Sequence, residues 1–374
     1  MKRLESIWIC LLFLPFMVHS QELRKNPAYI GVKSHYGFII PHSVALKDAT
    51  DSNPAGIELT WGKILLQQDQ YALLNNFAKT GMTFHWIDFR KPGSLGHSLN
   101  LGAFVEPVFM FRNRLHFSVK NGMGATWLTR VYDEENNPDN KFFATRISFL
   151  LYVNPSIHYR AAGRLNLILS GSYNHISNGG IRQPNYGMNF PTLAVGAEYV
   201  LKDYTIPDYP LPKANALKDR RISVQADLFA SVKNIDRGNN FENDGLIPDD
   251  TFEAMLLWIY GIQLRASKPV SERNTLSLSV EWIADHYTRE RIRRAGLNLG
   301  YNKAAILGGH EFVFGKAGFR QQLAFYLHAP FEKDIMYQRY TLYYNVSQRY
   351  CLSTSLKAHL HQADIFDIRI GLRF

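Results

Sequence analysis

The last eleven residues, DIFDIRIGLRF, place Phe366, Ile368, Ile370, Leu372 and Phe374 on one parity and Asp367, Arg369 and Arg373 on the other. In an extended chain successive side chains point to opposite faces, so this segment has one wholly apolar face and one charged face. The pattern repeats upstream. Leu352, Leu356, Ala358 and Leu360 oppose Ser353, Ser355, Lys357, His359 and His361; Leu276, Leu278, Val280 and Trp282 oppose Ser277, Ser279 and Glu281; Leu323, Phe325 and Leu327 oppose Gln322, Ala324 and His328. Twenty Tyr and 24 Phe add to the supply of strand-forming residues. The chain is therefore expected to be all-β and antiparallel, built from strands with one greasy face.

From Tyr29 onward such segments recur near 29–41, 55–66, 80–89, 97–111, 115–130, 144–160, 164–178, 192–203, 220–232, 253–267, 275–288, 305–315, 318–330, 336–348, 351–361 and 364–374. Stretches 131–143, 204–219 and 234–250, rich in Asp, Asn and Pro, read as long loops. No stretch clearly separates two domains, and no repeat beyond the hairpin stands out.

The first twenty residues carry Lys2 and Arg3, an apolar run from Ile7 to Val18, and small residues ending at Ser20, the pattern of a secretory signal peptide. Cys10 belongs to that leader, so the mature chain keeps only Cys351 and forms no internal disulfide. No later segment reaches the roughly 18 uninterrupted apolar residues of a membrane helix. The formal charge of +10 is compatible with an anionic partner surface such as lipid phosphates but over this length reads as a solvated surface, and no nucleic-acid partner is expected.

In a soluble sandwich these would be ordinary half-buried strands. The leader, segments of roughly 9–11 residues running to the very end, and a terminal aromatic residue together resemble an integral β-barrel of the Gram-negative outer membrane, whose outer face is apolar and whose lumen is polar. The expectation is a single transmembrane barrel of about 14–16 strands over residues 21–374. Phe374 resembles the signal by which such chains engage the barrel-assembly machinery.

The stretch YNHISNGGIRQPNYGMN, Tyr173 to Asn189, ends one of these strands. Leu165, Leu167, Leu169, Tyr173, His175 and Ser177 share a parity, so the histidine and serine fall on the apolar, lipid-turned face. Residues i and i+2 stand roughly 6–7 Å apart along a strand, a distance over which an imidazole can take a proton from a hydroxyl, as a base does from a serine nucleophile. Spacing alone is equally compatible with two groups that only bond water at the headgroup level.

His175-Ile176-Ser177-Asn178, then Gly180, Pro184-Asn185 and Gly187, resembles the signature of the lipid A 3-O-deacylases, the PagL-type outer-membrane esterases. Those enzymes are eight-stranded, about half this length; longer acyloxyacyl hydrolases of the Bacteroidetes are similar as well, in YGFIIPHS (36–43) and LKAHLHQAD (356–364). The resemblance implies Ser177 as nucleophile, His175 as general base, and Asn178, Gly180 and Asn185 around the oxyanion. It also implies lipid A or lipopolysaccharide as the lipid substrate, with no metal and no cofactor. The family's acid, twelve residues beyond the serine, is replaced by Asn189, which can orient an imidazole but not neutralise it. Glu198, the nearest downstream carboxylate, alternates against Leu193, Val195, Ala197, Tyr199 and Leu201 and should face the lumen. Two other readings stay open: a passive porin or binding barrel, and a barrel that kept the motif and lost catalysis.

Overall fold

The computed structural model describes residues 26–41, 46, 50–74, 76–179, 181–182, 184–209, 221–235, 252–271, 273–359 and 362–374. The leader and Gly180 lie outside the described residues. The chain is all-β, as expected, with sixteen antiparallel strands among the described residues. They are β1 (Ala28–Gly37), β2 (Ala55–Leu65), β3 (Phe77–Lys91), β4 (Gly96–Phe109), β5 (Leu115–Leu128), β6 (Ile147–Arg160), β7 (Leu165–Ser177) and β8 (Met188–Val200), then β9 (Ser223–Ile235), β10 (Met255–Pro269), β11 (Asn274–Asp285), β12 (Asn302–Phe314), β13 (Ala317–His328), β14 (Met336–Asn345), β15 (Tyr350–His359) and β16 (Gln362–Arg373). Two short helices interrupt them, α1 (Gln68–Leu74) and α2 (His286–Arg294).

The strands close as two rings of eight, not as one ring of sixteen. β8 lays its free edge on β1, from Tyr29 opposite Val200 to Gly37 opposite Thr192. β16 closes on β9, with Ile368 opposite Ala230 and Arg373 opposite Gln225. Closure satisfies the edge hydrogen bonds that an open sheet would leave bare. The polar stretch read as the loop 204–219 thus belongs to the connection between two barrels.

Each ring is turned inside out relative to a soluble sandwich. On the first barrel Ile30, Val32, Leu59, Trp61, Leu101, Leu167, Leu169, Leu193 and Val195 are exposed, while Lys33, Glu58, Lys79, Lys120 and Glu198 are buried. A continuous apolar exterior around a charged interior is stable only if the exterior faces lipid.

Eight strands leave an interior that side chains fill. In the first barrel Glu58 accepts from Lys120 (2.8 Å) and Thr60 (2.9 Å), lies 2.8 Å from Lys33, and contacts His35 (3.1 Å). A second layer holds Lys79 on Glu198 (2.5 Å), with Asn166 donating to the same carboxylate. In the second barrel Glu281 accepts from Arg339 (2.6 Å) and Tyr337 (2.8 Å) and lies 3.2 Å from Arg369; Asp367 bonds both arginines.

Candidate active site

Beside the end of β7 in the first barrel lies a buried apolar cluster. Phe89 packs edge-on against Phe190 (5.8 Å between centroids) and near Phe143 (6.3 Å), and Phe142, Ile176 and Met188 are buried in the same cluster. Ile176 therefore points inward, which turns its neighbours His175 and Ser177 outward, as the alternation requires. Asn166, Ser170, Ser172 and Asn174, on the opposite parity, are buried in the lumen.

The ladder between β7 and β8 sets His175 directly opposite Asn189. Their side chains meet, with His175 Nδ1 2.7 Å from Asn189 Oδ1. An amide oxygen can only accept, so this contact places the ring proton on Nδ1 and leaves Nε2 as the basic nitrogen. Asn189 is 5 % exposed. Its backbone carbonyl accepts from the amide of Ile40, so the segment that continues β1 secures it.

Ser177, the last residue of β7, is 7 % exposed. Its Oγ accepts from Asn185 Nδ2 at 3.0 Å, and Asn185 Oδ1 accepts from the backbone N–H of Asn178 at 3.1 Å. One side chain thus spans both groups that surround the hydroxyl. An amide donor thus engages a lone pair of Oγ.

The turn is shaped by glycine at both ends. Gly179 and Gly187 have φ of +68°, a region unfavourable for other residues. At Gly187 a Cβ would also stand 2.9 Å from His175 Cε1, inside van der Waals contact. The Gly187 amide donates to the Phe142 carbonyl (3.2 Å), anchoring the turn on the β5–β6 loop. The sequence motif includes Gly187 but says nothing of its contact with the histidine, because the contact depends on the turn folding back over the ring.

Of the residues singled out in sequence, His175 meets Asn189, and Asn185 joins Ser177 to the Asn178 amide. Glu198 lies in the lumen on Lys79, as its parity indicates. His359 of the second barrel sits on the polar face, 3.0 Å from Asp334 and 3.6 Å from Asp364.

The outward surroundings are apolar. Leu151, opposite His175 on β6, Val153, opposite Tyr173, and Tyr173 itself are all exposed. A polar cluster at the end of a lipid-facing strand can meet the ester of a membrane lipid while its acyl chains stay against the wall.

The fold and this cluster define a class, that of outer-membrane β-barrel proteins carrying a polar site on the lipid side. Residues 55–198 match the family described as lipid A 3-O-deacylase (PagL), and residues 222–374 match the acyloxyacyl hydrolase C-terminal domain. The first barrel is thus similar to the lipid A 3-O-deacylase (PagL) family and the second to the acyloxyacyl hydrolase C-terminal domain. Among solved structures, the outer membrane enzyme PagL is 15 % identical, with 44 % of this chain and 97 % of that chain covered and a TM-score of 0.33. Neisserial surface protein A is 11 % identical over 46 % and 96 %, with a TM-score of 0.33. A Rhodopseudomonas blastica porin variant is 11 % identical over 93 % and 100 %, with a TM-score of 0.20. No curated protein matches.

Proposed function

We propose that the protein is an outer-membrane serine esterase that removes an acyl chain from lipid A or a related glycolipid. Ser177 is the nucleophile, His175 the general base and Asn189 the group that orients it. Oγ of Ser177 attacks the ester carbonyl while its proton passes to His175 Nε2. The oxyanion gathers the Asn178 amide and Asn185 Nδ2, with Gly180 assigned to the same turn from the motif. Collapse of the intermediate breaks the C–O bond, and the departing sugar oxygen takes the proton from Nε2. Water, deprotonated by the same nitrogen, then releases the fatty acid from Ser177.

The observation that carries this reading is the 2.7 Å contact of His175 Nδ1 with Asn189 Oδ1, which selects the tautomer a base needs. The packed lumens count against the porin reading, since ion pairs fill the space a channel would use. Phe374, at the end of β16, is the proposed recognition element for the barrel-assembly machinery, and residues 1–20 the proposed leader.

Mass spectrometry of lipid A from Gram-negative cells with and without the protein tests the activity. Loss of one acyl chain is expected with the native chain and not with Ser177→Ala, whose barrel should keep its heat-modifiable gel mobility. Asn185→Asp retains the acceptor for the Asn178 amide but removes the donor to Oγ, and is expected to lower kcat about 10²–10³-fold, the usual cost of one oxyanion donor. Deacylation by Ser177→Ala at the native rate overturns the nucleophile assignment.

A further inference from the structure

Asn189 meets His175 at the end of a ladder. The β7–β8 pairing stops at Ile176 opposite Met188, one step past His175 and Asn189. On the other edge of β8 the ladder with β1 stops at Gly37 opposite Thr192. Beyond it Phe38 and Ile40 donate to the carbonyls of Pro191 (3.2 Å) and Asn189 (2.8 Å), and Pro191, which has no N–H, returns no bond. Strand ends open most readily, so the 2.7 Å contact of Asn189 Oδ1 with His175 Nδ1 needs this end of β8 held in place.

Side chains in the lumen hold it. Asn174, next to His175 on β7 and directly opposite Phe190, is buried. Its Nδ2 donates to the Phe190 carbonyl at 3.0 Å and its Oδ1 accepts from Ser172 Oγ at 3.1 Å, so the amide cannot turn over without losing both bonds. The Phe190 ring is itself packed edge-on against Phe89. Residue 190 is thus pinned from the inside by ring and carbonyl, while its neighbour Asn189 turns outward.

This amide is anchored in the charged interior. Asn174 Nδ2 reaches Thr192 Oγ1 at 3.5 Å, Thr192 Oγ1 lies 3.1 Å from His35 Nδ1, and His35 Nε2 lies 3.1 Å from Glu58. Glu58, held between Lys33 and Lys120, accepts. His35 therefore donates from Nε2, its neutral ring takes the Thr192 hydroxyl proton at Nδ1, and the Thr192 oxygen is left to accept from Asn174. All bonds of the row point one way, from the β7 amide to the β2 carboxylate, and each polarises the next.

We infer that Asn174 is a positioning residue for the hydrolysis proposed above. Its lumen amide fixes the end of β8 so that Asn189 keeps His175 in the Nδ1–H form, and Thr192, His35 and Glu58 keep that amide aimed. Its part in turnover rests on the esterase reading, whereas the tautomer it sets is read without turnover.

The test compares Asn174→Leu, which keeps the branched outline and removes the amide, with Thr192→Val, which removes the hydroxyl, and Thr192→Ser, which retains it. Each full chain is labelled with nitrogen-15 histidine in detergent micelles, and the His175 signals are identified by their loss in His175→Gln. Long-range proton–nitrogen correlations then show which ring nitrogen carries the proton. The native chain should hold a single Nδ1–H form, and Asn174→Leu should give a mixture of tautomers while keeping heat-modifiable gel mobility. Fatty-acid release from lipid A micelles by Asn174→Leu should fall about tenfold in kcat with KM unchanged, the scale of one lost hydrogen bond. Thr192→Val should lose about threefold, on the same scale, and Thr192→Ser should keep the native tautomer and rate. If Asn174→Leu does not fold, Thr192→Val carries the tautomer measurement. A native Nε2–H form, or an unchanged Nδ1–H form in every folded variant, overturns the positioning role even where the rate falls. A tautomer shift in Asn174→Leu without hydrolysis by the native chain supports the positioning of His175 and overturns the esterase reading instead.

Discussion

Asn189 is where the sequence departs from the signature of the deacylases it resembles, and the structure gives that departure a definite geometry. Its amide oxygen stands where a triad carboxylate would orient the imidazole. In the proposed mechanism an amide fixes ring and tautomer but supplies no charge to the imidazolium formed when Ser177 attacks. Asn189→Glu should therefore raise kcat toward lipid A esters about tenfold or more with little change in KM, as measured by fatty-acid release from mixed micelles. An unchanged kcat would mean that the imidazolium is already stabilised by another group. The outward parity of His175 and its place opposite the residue that follows the hairpin were legible in sequence because a strand alternates and a hairpin is local. What could not be read is Asn185 bridging Ser177 Oγ and the Asn178 amide, or Gly187 closing on the imidazole, since both depend on how the 178–187 turn folds.

Every one of the sixteen strands overlaps a segment expected from alternation, because lipid outside and ion pairs inside enforce the period at each position. The helix α2 was missed: the strand expected at 275–288 runs through Asp285, whose cap on Thr288 starts the helix instead. Short helices buried by one stripe leave little periodic signal. The parity of the strands does predict their interior chemistry. Glu281 of β11 faces inward and meets Arg339, Arg369 and Tyr337. Removing one partner of a buried ion network leaves uncompensated charge, a loss of about 3–5 kcal/mol. Glu281→Ala should destabilise the second barrel by that amount, read as an earlier urea midpoint in vesicles. Leu278→Ala, on the lipid face of the same strand, should cost far less, and equal losses would mean that the Glu281 network contributes little.

Ring closure is the feature of the whole molecule that alternation does not encode. A hairpin meander of sixteen strands reads the same whether β8 pairs with β9 or returns to β1, and a polar stretch such as 204–219 has the same composition as a loop within one barrel. The ladder decides, because β8 shares its edges with β7 and β1, and β9 shares its edges with β10 and β16. Each ring closes its own backbone ladder, so the backbone between them is not needed to hold either ring closed. A protease site introduced between residues 210 and 220 of the full chain, cut after the protein is folded in membranes, should yield two fragments. Each is expected to keep compact, heat-modifiable mobility on a cold gel, the first containing Ser177 and retaining the proposed esterase activity. In a single ring of sixteen the cut would fall at a loop and the fragments would stay interlocked, migrating as one compact species until boiled. Separate compact bands therefore distinguish the two closures, and one shared band would overturn the closure of each barrel on itself.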